Sequence, residues 1–154
     1  MASPLIRHEG IALLAPQYFG SIAWYAALAS HSHAVIDCGM RFDKRMKTVH
    51  RCSIAGNDGP LALTVPISKP VSMTRARWHD IEVSRHGQWW HVHRTALESA
   101  YGRTPYFEFY IDRFKPWLEC WSNTDNTSVR LTDMVLALDE KIRADRLLPT
   151  GVMT

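Results

Sequence analysis

The chain has 154 residues, 46% of them hydrophobic and 21% charged, with a formal net charge of +3. That length and balance fit one soluble globular domain whose core needs no staples, and the mild basicity is too weak to indicate nucleic acid by itself. Three widely spaced cysteines, Cys38, Cys52 and Cys120, form no Cys-x-x-Cys pair and fit free thiols in a reducing compartment better than a disulfide framework.

In chain order, residues 1–8 read as a loose start. The apolar run from Ile11 to Ala15 is too short for a secretory signal, and His8 and Glu9 stand just before it. No run approaches the roughly eighteen apolar residues of a membrane span, so a cytoplasmic protein is expected. Gly10 to Ala15, ended by Pro16, reads as a buried strand. Gln17 to Gly20 reads as a turn, and Ser21 as the cap of a helix reaching about Ser30. This helix is apolar almost all round, which predicts deep packing. His31 to His33 should end it, with Ala34 to Cys38 as a second buried strand. Strand, helix and strand at that spacing predict a βαβ unit with a parallel pair.

Arg41 to Arg51 contains five Arg or Lys residues in eleven positions. Extended, it would project Arg45, Lys47 and Arg51 to one side, where they could hold phosphate. A solvated loop is the plainer reading, and Phe42 alone is weak support for nucleic acid. Val49 to Ala55 and Leu61 to Ile67, separated by the turn Gly56-Asn-Asp-Gly59, predict an antiparallel hairpin. Ser68 to Arg77 reads as loop, and Trp78 to Val83 as a short alternating strand.

Gln88 to Tyr101 has an amphipathic helical pattern. Trp89, Trp90, Val92, Ala96, Leu97, Ala100 and Tyr101 share a broad apolar face, with His93 near its middle. A buried imidazole must find a partner. One reading makes His93 a core histidine bonded to a backbone carbonyl, and the other puts it at the floor of a pocket. Gly102 is placed to end the helix in a left-handed conformation. Thr104 and Pro105 should cap and open a second helix, aromatic along Phe107, Tyr110, Phe114 and Trp117, which Pro116 should kink or split. The two would form a helical hairpin. A polar linker at 122–127 leads to a last helix from about Val129 to Ala144, with Leu131, Met134, Val135, Leu138 and Ile142 as its buried stripe. The expected fold is thus a single α/β domain over 1–154, with a core at 9–145 and loose ends at 1–8 and 146–154. It combines an N-terminal βαβ unit, a mixed sheet with a β-hairpin, and a helical C-terminal half.

Metal binding finds little support. The pairs His31/His33 and His91/His93 lack any His-Glu-x-x-His or Cys-x-x-Cys context, and a spacing of two on a helix cannot chelate. No Walker loop, Gly-x-Gly-x-x-Gly or Gly-x-Ser-x-Gly is present, and no cofactor is indicated.

Three stretches resemble the WbqC-like protein family: APQYFGSIAWYAAL from Ala15, HRCSIAGNDGPLALTVPI from His50, and HRTALESAYGRTPYFEFY from His93. They occur in the family's order, and the likeness covers roughly residues 10 to 145. At position 50 the family usually has Asn where this chain has His. The resemblance implies bacterial surface-polysaccharide (O-antigen-like) biosynthesis. It implies a phosphate-bearing or nucleotide-linked sugar as substrate, in a setting of biosynthesis of that sugar, or of its acylation or aminoacylation by acyl or aminoacyl transfer. His93 falls on the family's histidine position and is the expected general base or acid. Tyr18, Lys47, His50 and Arg51 are the expected ligand-binding residues, near the carboxyl ends of the early strands. The alternative is a non-catalytic binding or assembly protein using the same aromatic and basic face. The expected partner is a small anionic ligand, not nucleic acid, and a homo-oligomer is left open.

Overall fold

A computed structural model describes residues 8–68, 70, 72, 74–84, 86–120, 128–146 and 152–153. The expected linker at 122–127 lies outside them. The first unit is β1 (His8–Leu14), α1 (Ile22–Ser30) and β2 (His31–Ile36). The strands pair in parallel, with Ala12 opposite Ala34 and Leu14 opposite Ile36. Ser21 caps α1 by accepting the Trp24 amide at 3.2 Å, and the Trp24 indole N–H donates to the Ala15 carbonyl at 2.8 Å. These two bonds lock the helix onto the strand end.

Deep packing of α1 is not observed. Only Trp24 and Leu28 are buried, and Ile22 is 90% exposed. A three-stranded sheet has room for one line of helix side chains, so the remaining apolar residues face outward. The helix also needs no loop before β2, because His31 already begins that strand. Val152–Met153, in a tail expected to be loose, forms β5 and pairs in parallel with β2.

The hairpin forms a second sheet, with β3 (Arg51–Gly56) antiparallel to β4 (Gly59–Thr64) around Asn57-Asp58. Parallel and antiparallel pairs therefore occupy two small sheets. The stretch Trp78 to Val83 is not a strand. Trp78–Asp80 is a 3-10 turn, followed by single bridges from Val83 to Ile67 and from Glu82 to Arg130. Its alternating pattern serves a turn wrapped on the start of the last helix, where the Leu131 amide donates to the Ile81 carbonyl at 2.8 Å.

The helical half contains α2 (Trp89–Tyr101), α3 (Phe107–Cys120) and α4 (Leu131–Arg146). The α2–α3 hairpin is present, and Arg94 of α2 reaches Glu119 of α3 at 3.6 Å. Gly102 is right-handed, at φ −57°, and its amide continues the helix by donating to Glu98. A Cβ there would collide with the Glu98 carbonyl oxygen, so close approach, not handedness, demands glycine. The left-handed residue is Tyr106, at φ 66°. The chain therefore turns at Thr104-Pro105 and the helix starts only at Phe107. Pro116 does not split α3, which runs unbroken through it.

The larger core gathers Tyr18, Val49, Val65, Trp78, Ile81, Trp89 and the α4 stripe Leu131, Met134, Val135 and Leu138, with Ile142 packed against it. A smaller core joins Ala12, Trp24, Leu28, Ala34 and Ile36, with Leu136 of α4 packed on it. α4 thus serves both. Among the described residues no helix is long and apolar enough to cross a membrane, and no group of three or more His, Cys, Asp or Glu residues could hold a metal ion. Cys38 and Cys52 are free thiols.

Candidate functional site

His93 faces inward because Trp89 and His93, one helical turn apart, form the buried line of α2. That line is narrower than the expected stripe, since Val92 is 61% exposed. The ring lies 5.2 Å from the Trp89 ring, centroid to centroid. Tyr18, in the turn after β1 and 1% exposed, brings its hydroxyl within 2.8 Å of His93 Nδ1. The other nitrogen, Nε2, lies 3.2 Å from the Thr64 carbonyl oxygen. A carbonyl only accepts, so Nε2 carries the proton and Nδ1 accepts from Tyr18. Burial holds the His93 pKa down at about 4, against a smaller upward pull from the Thr64 carbonyl. Burial, then the proximity of Cys52, raises the Tyr18 pKa well above its usual value. The pair is neutral at pH 7, and its carbonyl-bonded imidazole matches the first of the two readings of His93.

Thr64 links this pair to the cations. It sits opposite Arg51 in the hairpin, and Arg51 Nε donates to Thr64 Oγ1 at 2.7 Å. His50, half-buried, places Nδ1 3.2 Å from the Val65 carbonyl. Burial lowers its pKa, the Val65 contact raises it, and the charges of Arg51 and Lys47 lower it further. The Tyr18 amide donates to Thr48 O at 3.0 Å, beside Lys47. The five residues expected at a site are therefore joined through one chain of contacts.

Arg41 to Arg51 is not extended: 44–45 is a turn and Lys47–Val49 a 3-10 helix. Asp43 Oδ1 takes the Arg45 amide and its carboxylate binds the guanidinium, which folds the segment and turns Arg45 to solvent. Lys47 and Arg51 have no carboxylate partner among the described residues.

His93, read either as a core histidine or as the floor of a pocket, lines none of three hollows among the described residues. One, of about 500 Å³, lies between the hairpin and the outer side of α2, along Leu61, Val92 and Ala96. Another, of about 400 Å³, is lined by Arg75, Asp80 and Glu82 with Ser68 and Ser72. A third, of about 370 Å³, is walled by Phe19, Tyr101, Pro105, Phe107, Tyr110 and Phe114. Phe19 was not among the expected site residues; it stands next to Tyr18 in the turn but lines this third hollow.

In comparison with known proteins, the model of the WbqC-like protein family matches residues 15–144. No curated protein and no solved structure matches the chain.

Proposed function

The chain belongs to the WbqC-like protein family, and from that premise we propose that it serves bacterial surface-polysaccharide (O-antigen-like) biosynthesis in the cytoplasm. Its ligand is a phosphate-bearing or nucleotide-linked sugar, and its chemistry acyl or aminoacyl transfer. The supporting observation is the pair of cations, Lys47 and Arg51, without a carboxylate partner among the described residues and flanking half-buried His50 at the end of the Tyr18–His93–Thr64 chain. Arg51 spends only Nε on Thr64, so its terminal nitrogens remain for a phosphate fork. His93, neutral at pH 7, is the group that would take a proton, once Tyr18 releases Nδ1.

A second reading has its own support. Both ring nitrogens of His93 are engaged and no described hollow is lined by it, which favours a non-catalytic binding or assembly protein. One experiment addresses both. Calorimetry with sugar 1-phosphates and nucleotide-linked sugars should find Arg51→Ala weaker by about 1.5–3 kcal/mol, the range for a hydrogen bond to a charged group. Equal affinity in the two proteins would remove the phosphate site. With the same ligand, His93→Gln should lower turnover by roughly 10² if His93 is the base. Unchanged turnover, or binding without turnover, leaves the second reading.

A further inference from the structure

We propose that the aromatic hollow of about 370 Å³ at the α2–α3 corner is a nucleobase subsite, holding the base of the ligand whose phosphate Lys47 and Arg51 receive. This rests on the phosphate reading above. The walls come from separate parts of the chain: Phe19 from the turn after β1, Tyr101 from the end of α2, and Phe107, Tyr110 and Phe114 from α3. Among the described residues no charged side chain lines it, so it suits the neutral end of a ligand. Its size falls within the range of small-molecule sites, and aromatic faces with a few hydroxyls at the rim match a flat ring with polar edges. The rings are held in place. The Tyr101 hydroxyl accepts the Ala55 amide at 3.0 Å. Phe19 packs edge-on against Tyr18 at 4.9 Å and lies tilted toward Phe114 at 6.3 Å.

Backbone strain points to the same place. Among the described residues, the non-glycine residues with positive φ are Phe19, at 46°, and Tyr106, at 66°. Phe19 is a wall of the hollow, and Tyr106 joins two other lining residues, Pro105 and Phe107. Such backbone is unfavourable for aromatic residues and gathers where a site is being shaped. The amide of Tyr18, the neighbour of Phe19, donates to Thr48 O, which ties the turn that carries Phe19 to the segment that carries Lys47.

The test titrates wild type, Phe107→Ala and Arg51→Ala with UDP-, dTDP- and GDP-glucose and with glucose 1-phosphate, which lacks the base. Circular dichroism confirms that each variant is folded; Phe107→Leu, which keeps apolar bulk without the ring face, replaces Phe107→Ala if that one is not, and Arg51→Lys likewise replaces Arg51→Ala. The expected result is that Phe107→Ala weakens the best nucleotide sugar roughly 5- to 150-fold, the range for one base–aromatic stack. Binding of glucose 1-phosphate should be unchanged, while Arg51→Ala weakens both. If glucose 1-phosphate binds wild type as tightly as every nucleotide sugar, or Phe107→Ala weakens both alike, the subsite is refuted and the phosphate reading stands. If nothing in the panel binds wild type, both fall.

Discussion

Two buried polar clusters flank the larger core, and they are built on opposite principles. Tyr18, His93 and Thr64 form a neutral set in which each imidazole nitrogen has a partner. Asp139 and Arg143, successive turns of α4, form a charged pair at 2.8 Å, with side-chain exposures of 3% and 11%. Asp139 Oδ1 makes no hydrogen bond of ordinary length, although the Tyr25 hydroxyl is near enough for the charge to raise its pKa, after burial. Burial raises the Asp139 pKa too, opposed by the Arg143 bond and charge. A neutral, satisfied set costs little to desolvate, whereas a buried ion pair must recover a large penalty from its own attraction. The first cluster can carry a functional residue without straining the fold. The second is a charged pair within α4, buried close to Tyr25 of α1, and it is costly to break.

The largest expected effect follows from that difference. Asp139→Ala takes the carboxylate from beside the buried Arg143 guanidinium and should destabilise by about 3–5 kcal/mol in urea unfolding. Replacing both residues with apolar ones of similar volume should recover most of the loss. A single-variant loss under about 1 kcal/mol would mean that the two clusters do not differ in kind.

Acid should act through the neutral cluster. His93 titrates near 6.5 when unfolded and at about 4 when folded, so the unfolded chain binds the extra proton between those values. The contribution of His93 is complete above pH 6.5 and is lost as pH falls through about 4. The loss is on the order of 3 kcal/mol, at about 1.4 kcal/mol per pH unit. His50, also shifted down, pulls in the same direction. Urea midpoints that stay flat from pH 7 to 4 would contradict a buried neutral His93.

The smallest effect isolates one bond. Tyr18→Phe removes the donor to Nδ1 and should cost about 1–3 kcal/mol, the penalty of an unsatisfied buried acceptor. It should also raise the His93 pKa, because the neutral ring loses the bond that favours it. An NMR titration in which the pKa stays put or falls would mean that Tyr18 does not donate to Nδ1.

Local signals carried much of this fold. The βαβ unit was legible because Ser21, Pro16 and two apolar runs are short-range features. The hairpin was legible from its Gly-Asn-Asp-Gly turn, and α4 from its stripe. Failures arose where a distant partner overrides the local pattern. Trp78 to Val83 alternates like a strand, but α4 claims its backbone groups. Gly102 looked like a left-handed cap, yet the reversal falls four residues later at Tyr106. The residues of the proposed site were recognisable singly, His93 from its helical position and Lys47 and Arg51 from charge. Their junction was not, because Tyr18 and His93 are 75 residues apart and no periodicity spans that separation. The aromatic hollow was hidden for the same reason.

The position of α4 between both apolar clusters also bears on how the chain reaches this state. Leu131, Met134, Val135 and Leu138 complete one cluster and Leu136 the other. The βαβ unit and the hairpin are contiguous in sequence and can form early as fluctuating local structure. Neither apolar cluster closes until a helix that follows residue 130 has been synthesised and docked. Folding is therefore gated by contacts of long sequence separation, which is a slow class of event. Until α4 emerges, the nascent chain exposes Trp78, Tyr18 and Trp24 to whatever else is in solution.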